Sequence, residues 1–502
     1  MLPVALLIIA VPLAAAIPAL ALRGLRIFEL PIAVGACLFV ILLLALPAAG
    51  GSTVLAIGSY QIELNAPLTI LGRTLRVRDF DRYALILIFS AAALIFPLSV
   101  RANQGWTFVP LGLAMLSALS VALMIRPFVF SALALEVAAS LAAMMIQVER
   151  EEAHEQHRVA TLGALRFLTI VTLALPCFLG AGYVVAQATQ AVAPDAATYA
   201  PAVTLLLIGF ALLFGALPVF TWTHPVARDA PPLVTAFLAT VYLGAITFLF
   251  LSFRQEYEWF RTSPLIVSAA NLGGILMLAF GGLTAWAQRS FGRVMACGLA
   301  VEIGALLIQA GLGTVLSIEA IAIGIGARAI SFGLLALGVS LLRQEFGSDE
   351  FDTLRGAGRR LVWAPLAIGI GGLSLAGLPG TIGFVSRWMS IRSLALGDQE
   401  LMMLSILASA SVGIAVVRGL GALLEVSPTP SPEDAPATLE MEAASRLETL
   451  RQLIGDVWGR LKARALHLSV IAPAVTIVWV GLAPHALALL AQSIANGYTF
   501  YR

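Results

Sequence analysis

Apolar runs of about 20 residues recur along the whole chain, parted by short polar stretches, and that length suits a helix crossing a bilayer. The runs fall near 2–22, 28–48, 81–99, 106–125, 127–146, 163–186, 201–220, 231–252, 263–286, 293–313, 315–342, 361–388, 400–424 and 466–491. The pattern predicts an all-α polytopic membrane protein of about fourteen transmembrane helices. The first run has neither a basic leader nor a small-residue cleavage pattern, so it reads as a retained helix.

The interruptions are as informative as the runs. Segment 49–80 alternates in STVLAIGSYQIEL and LTILGRTLRVRDF, which predicts a short β-hairpin. The stretch SPTPSPEDAPAT at 426–437 is a Pro/Ser linker. Beyond it, Leu447, Leu450, Leu453, Ile454, Val457, Trp458 and Leu461 recur at helical spacing, so 439–464 reads as an amphipathic helix on the membrane surface or against a neighbour. QVEREEAHEQHR at 147–158 reads as a solvated helix end, with His154 and His157 as surface residues and not metal ligands. The chain therefore divides into 1–104 (three helices and the hairpin), two five-helix blocks at 105–255 and 256–425, a polar segment at 426–465 and a last helix in 466–502.

Composition agrees with that reading and narrows it. Of 502 residues 60% are hydrophobic and 12% charged, and the mean hydropathy is +0.95, more apolar surface than a soluble protein of this length can hide. The net charge of +2 says little. Its distribution says more: loops carrying Arg23, Arg26, Arg150, Arg158, Arg343, Arg355, Arg359 and Arg360 alternate with poorer ones, a bias that puts both termini outside a cell membrane. Cys37, Cys177 and Cys297 are scattered among the runs and suggest packing, not a disulfide or metal set. No Walker, dinucleotide or zinc motif is present, so no cofactor and no nucleic-acid role is expected for the chain itself.

Two apolar runs are broken by proline, at Pro218 in GALPVFTW and at Pro379 in AGLPGTIGF. Each break comes two helices after a glutamate in mid-run, Glu136 in the first block and Glu302 in the second. Paired broken helices at corresponding positions mark transporters built from repeated halves, and five helices per half, an odd number, makes the halves inverted. An ion at mid-membrane costs at least about 2.5 kcal/mol on insertion scales, so it needs a partner or a function. Glu136, Arg166, Glu302, Arg328 and Arg387 are the candidates, with Glu319 near a run end. They can form a proton pathway through carboxylates and water, or static ion pairs that hold helices in register, such as Glu136 with Arg166. Arginine stays protonated and can only bias its neighbours, and the sole lysine is Lys462, in the polar segment.

These residues resemble the antiporter-like membrane subunits of respiratory complex I, relatives of subunits of multisubunit cation/proton antiporters and membrane-bound hydrogenases. The resemblance rests on Pro218, Trp222, Asp229 and Ala230-Pro231, on AWAQRSFGRVMACGLAVEIG, and above all on GLSLAGLPGTIGFVSRW. DFDRYALILIF at 79–89 and FSALALE at 130–136 resemble the family's third and fifth helices, so the similarity runs over 75–424. It implies fourteen helices, two inverted five-helix repeats and a proton-conducting role. Carried over residue by residue, the family's fifth-helix glutamate is Glu136 and its sixth-helix lysine is Arg166. The lysine ahead of the broken helix falls on Leu213, the histidine after the proline on Phe220 and the eighth-helix lysine near Gly244. In the second half the family's positions fall on Glu302 and Arg387. The expectation is a membrane subunit of a complex I-like NADH–quinone oxidoreductase with altered proton transfer, itself non-catalytic. Its implied partners are other membrane subunits, the lipid bilayer, and protons or sodium ions. The alternatives are a subunit of a cation/proton antiporter or membrane-bound hydrogenase, and a non-conducting structural subunit.

Overall fold

A computed structural model of the chain describes residues 2–23, 26–50, 54–57, 60–63, 66–70, 72–102, 104–147, 157–190, 196–217, 222–395, 397–425 and 467–500. Pro218, Phe220, the 426–437 linker and the 439–464 segment lie outside the described residues.

Each of the apolar runs is helical. The first three helices are α1 (Val4–Ala21), α2 (Arg26–Gly50) and α3 (Asp79–Ile95). The first block holds α4 (Phe108–Met124), α5 (Val129–Ile146), α6 (His157–Thr172), α7 (Ala174–Ala188), α8 (Ala196–Phe214), α9 (Thr223–Asp229), α10 (Pro232–Phe237) and α11 (Leu243–Glu256). A single turn, α12 (Glu258–Arg261), leads to α13 (Pro264–Ala285), α14 (Phe291–Leu312), α15 (Val315–Phe346), α16 (Trp363–Leu375), α17 (Ile382–Ala395) and α18 (Gln399–Leu424). The chain closes with α19 (His467–Leu482) and α20 (His485–Gly497). Among the described residues 11 helices are long and apolar enough to cross a membrane, and the bent α19–α20 pair makes a twelfth. The two shorter apolar helices, α4 and α16, fill the remaining runs. The chain is a multi-pass membrane protein.

The span formed by α10, a π-helical turn at Leu238–Tyr242 and α11 is wholly buried, and α15 nearly so. Helices at the rim, such as α1, keep most of their apolar surface outward, where lipid takes the place of a protein core. At 32 residues α15 is about 48 Å long and outreaches a hydrocarbon core of about 30 Å. Its ends are fixed by side chain and backbone: Thr314 Oγ1 accepts from the Ser317 N–H at 3.2 Å, and Gly347 closes the helix with a φ of 67°. The C-terminus of α14 is held by Arg254, whose Nη1 donates to the Ala310 and Gly311 carbonyls at 2.6 and 2.9 Å.

Segment 49–80 forms two hairpins where the alternation suggests one. Strands β2 (Val54–Ile57) and β3 (Tyr60–Glu63) pair with each other, and β1 (Leu2–Pro3) adds in parallel to β3. Strands β4 (Leu68–Ile70) and β5 (Arg73–Leu75) pair, and β6 (Ile125–Arg126) completes that sheet from the end of α4. Below it Arg78 Nε meets Asp81 at 2.6 Å, Arg78 also pairs with Glu256, and Arg126 meets Glu256 at 2.5 Å, joining the sheet to α3 and α11. Burial, and secondarily the nearby Arg78 charge, lowers Arg126 to about 10, so it stays cationic at neutral pH. The C-terminal residues Thr499 and Phe500 donate to Gln255 Oε1 at this same end. Both chain ends therefore lie on one side of the bundle.

Small residues let helices touch backbone to backbone. A Cβ on Gly304 would stand 2.8 Å from the Gly274 carbonyl oxygen, so α13 and α14 are in direct contact there. Gly304→Val should therefore lower the thermal midpoint of the purified protein by an overpacking penalty of about 1–3 kcal/mol. Gly421→Ala, where a Cβ meets nothing within 4 Å, should leave it unchanged or slightly higher. Differential scanning fluorimetry in detergent separates the two.

Candidate functional site

The second broken helix builds the clearest polar site. Helix α16 stops at Leu375, and Gly377 (φ 79°) and Gly380 (φ 84°) carry the chain past Pro379 into α17. The left-handed backbone at both glycines admits no side chain without strain. Ser374 holds the break together. Its hydroxyl accepts from the Gly383 N–H at 3.3 Å and lies 2.8 Å from the Ser331 hydroxyl on α15. A Cβ on Gly377 would sit 3.2 Å from Arg387 Cγ, so the break seats the Arg387 stem as well.

Arg387, in the second turn of α17, donates through Nη2 to Glu302 Oε1 on α14. The other carboxylate oxygen lies 3.7 Å from Arg328 Nε on α15. At that distance, with an effective dielectric near 20, opposite charges attract by about 4 kcal/mol. Arg328 is only 2% exposed; its Nε donates to the Gly324 carbonyl at 3.2 Å, while Nη1 and Nη2 have no hydrogen-bond partner among the described residues. Three helices thus converge on one carboxylate and two guanidiniums around a cavity of about 20 Å³, with Gln309, Ser386 and Ser390 also on its wall. Gln309 lies two turns beyond Glu302 on one face of α14. That seven-residue spacing is visible in the sequence but draws no notice for an uncharged side chain.

The first half is built differently. Glu136 is half-buried on α5 and its Oε1 accepts from the Thr172 hydroxyl at 2.7 Å, at the junction of α6 and α7. The expected Glu136–Arg166 pair is not formed: Arg166 is exposed on α6, and no ion pair joins it to Glu136 among the described residues. Thirty residues of separation set the order of two helices but not which face each presents. A cavity of about 10 Å³ beside Glu136 is lined by Val171, Phe178 and Leu213. Leu213 does stand next to the glutamate, where the resemblance puts the lysine, with an apolar side chain. Gly244 is buried against Ile325.

Around the first break, Gly215 ends α8 with a φ of 66°, and a Cβ there would be 2.5 Å from Trp222 Nε1. Trp222 is fully buried and packs edge-on to Phe167 at 5.1 Å and Tyr242 at 6.1 Å. His224 faces Phe280 edge-on at 5.4 Å with Nε2 3.8 Å from Cys297 Sγ, a packing position between α9, α13 and α14. Asp229 accepts from the Gly163 N–H at 2.9 Å and so binds α9 to α6. At the end of α15, Arg343 meets Asp349 at 2.7 Å and donates to the Ala230 carbonyl at 3.1 Å. The ions of this first break therefore tie helices together.

Fold and site define a polytopic membrane protein with two broken-helix halves and a buried ionic centre in the second. Residues 185–413 match the family model described as NADH:quinone oxidoreductase/Mrp antiporter, TM. Over these residues, somewhat less than half of the chain, the sequence is similar to that antiporter-like membrane-subunit family. It is 29% identical over 212 residues to NADH-quinone oxidoreductase subunit N of Alkalilimnicola ehrlichii, 41% of this chain and 42% of that relative. The chain thus spans less than two thirds of that relative's length. Its fold is similar to a chain of the Mrp complex from a Dietzia species, with a TM-score of 0.75, 18% identity, and 99% and 97% of the two chains covered. A chain of respiratory complex I from Thermus thermophilus gives a TM-score of 0.66 at 20% identity, covering 96% and 99%.

The two glutamates should differ sharply on neutralisation. Glu302→Gln leaves two buried guanidiniums uncompensated, and breaking such a pair costs about 3–5 kcal/mol. Glu136→Gln keeps an oxygen acceptor for the Thr172 hydroxyl and loses only the charge on it, so it should cost about 1 kcal/mol or less. Thermal unfolding of the two purified variants beside wild type checks the order.

Proposed function

We propose that this chain is a membrane subunit of a complex I-like NADH–quinone oxidoreductase, and that its second half carries the proton-handling centre. The observation that carries the reading is Glu302 on α14 shared between Arg387 and Arg328 at a helix break beside a small polar cavity. The proposed pathway uses Glu136, Glu302 and water, with Arg166, Arg328 and Arg387 as fixed charges and Pro218 and Pro379 marking the breaks. A carboxylate and water can pass a proton; guanidinium cannot. Arg387 follows the Gly377–Gly380 break, so a shift of α17 withdraws one of the two cations that face Glu302. Leu213 takes from the first half the cation that would face Glu136.

The subunit would itself bind no cofactor and perform no redox step. It would work among other membrane subunits in an inner membrane, with protons or sodium ions as the coupling ion. The repeats would be the inverted blocks 105–255 and 256–425. The charge bias and the shared side of the two chain ends support both termini outside. A subunit of a cation/proton antiporter or a membrane-bound hydrogenase is the second reading, and ion-driven flux by the assembly without redox activity would favour it. A static structural subunit is the third.

Reconstitution of the parent assembly discriminates among them. In assemblies of normal subunit content, Glu302→Gln should reduce the protons moved per electron, with Glu136→Gln having the smaller effect. An unchanged ratio in both variants would leave only the structural role.

A further inference from the structure

Charge around Glu302 does not balance. Among the described residues the cavity wall holds one carboxylate and two guanidiniums, Arg328 and Arg387, and no other ionisable residue. The nearby acid on α15, Glu319, has Arg392 of α17 as its charged neighbour. One positive charge is therefore left over on side chains that are only 2% and 8% exposed, and a buried charge is costly unless a counter-charge is present.

The donors are unbalanced in the same sense. Arg328 Nη1 and Nη2 together carry four N–H bonds, and neither nitrogen, both buried, has a hydrogen-bond partner among the described residues. Arg387 already gives Nη2 to Glu302. Gln309 is 2% exposed on the same wall, and its Oε1 is engaged by the Ser393 hydroxyl at 2.8 Å, which turns its amide N–H groups inward toward Ser390. Its longest contact, Nε2 to the Ser390 carbonyl at 3.5 Å, leaves donor capacity to spare. A carboxylate from another subunit cannot answer Arg328, because α14, α15 and α17 enclose it and 2% of its side chain is exposed.

From this excess of buried charge and free donors we infer that the cavity between α14, α15 and α17 binds a small monovalent inorganic anion of halide type. The anion would sit against Arg328 Nη1 and Nη2, with Gln309 and Ser386 beside it. A volume of about 20 Å³ suits one compact body of roughly water size. Water alone could take the hydrogen bonds but would leave the charge. Glu302, on the same wall, is 13% exposed. This site is independent of whether the chain moves protons, since its readout is binding.

The test uses the full-length protein in detergent, with chloride or bromide as the probe and gluconate as the oversized control, at matched ionic strength. Chloride or bromide should raise the thermal midpoint saturably by roughly 1–3 °C over gluconate. Gln309→Glu places a carboxylate in the same cavity, so it should abolish the halide dependence while keeping the midpoint in gluconate at or above that of wild type. Arg328→Gln should also abolish it; if that variant does not fold, Gln309→Glu decides alone. Crystals grown in bromide should show an anomalous peak between Arg328 and Gln309. An identical midpoint in halide and gluconate for wild type overturns the inference, and so does a halide shift that survives in Gln309→Glu.

Discussion

One carboxylate shared by two guanidiniums organises the second half of this protein. Glu302 and Arg328 come from consecutive helices and Arg387 from one further along the chain, and they meet where none could be buried alone. An ion inside a membrane has no cheap alternative partner, so this contact fixes how α14, α15 and α17 sit against one another. The neighbouring features follow from it. Glycines at the α16–α17 break seat the arginine, and Ser374 and Ser331 tie that break to the long helix that supplies Arg328.

The first half keeps the scaffold without that constraint. Glu136 has a hydroxyl for a partner and a leucine where a cation would stand. Its break is held by aromatic packing of Trp222 on Phe167 and by Asp229 on the Gly163 amide. Two halves of one plan therefore differ in kind: one stores charge, the other mostly stores packing. A protein that couples ions through only one such centre would move fewer of them per cycle than one with two.

Much of this was readable in the residues. Long apolar runs with few ions point to membrane helices, so the eleven long spans, the bent pair and the two shorter apolar helices were all visible as runs, and the mid-run charges stood out for the same reason. What the sequence could not give was convergence. Glu302 and Arg387 are 85 positions apart, and neither spacing nor charge says which of several glutamates an arginine will meet. The Glu136–Arg166 pairing failed on that point, because the two residues sit on neighbouring helices but face different ways. The second hairpin and the π-helical turn before Tyr242 were also hidden. Short strands and one-residue bulges depend on contacts made elsewhere in the fold.

If Glu302 is the exchangeable group of the second half, it must gain and lose a proton during turnover. Infrared difference spectroscopy of the reconstituted assembly, resting against energised, reads this as a carboxylic-acid carbonyl band. Wild type should show such a band, and Glu302→Gln should lose it. Identical difference spectra for wild type and Glu302→Gln would contradict it.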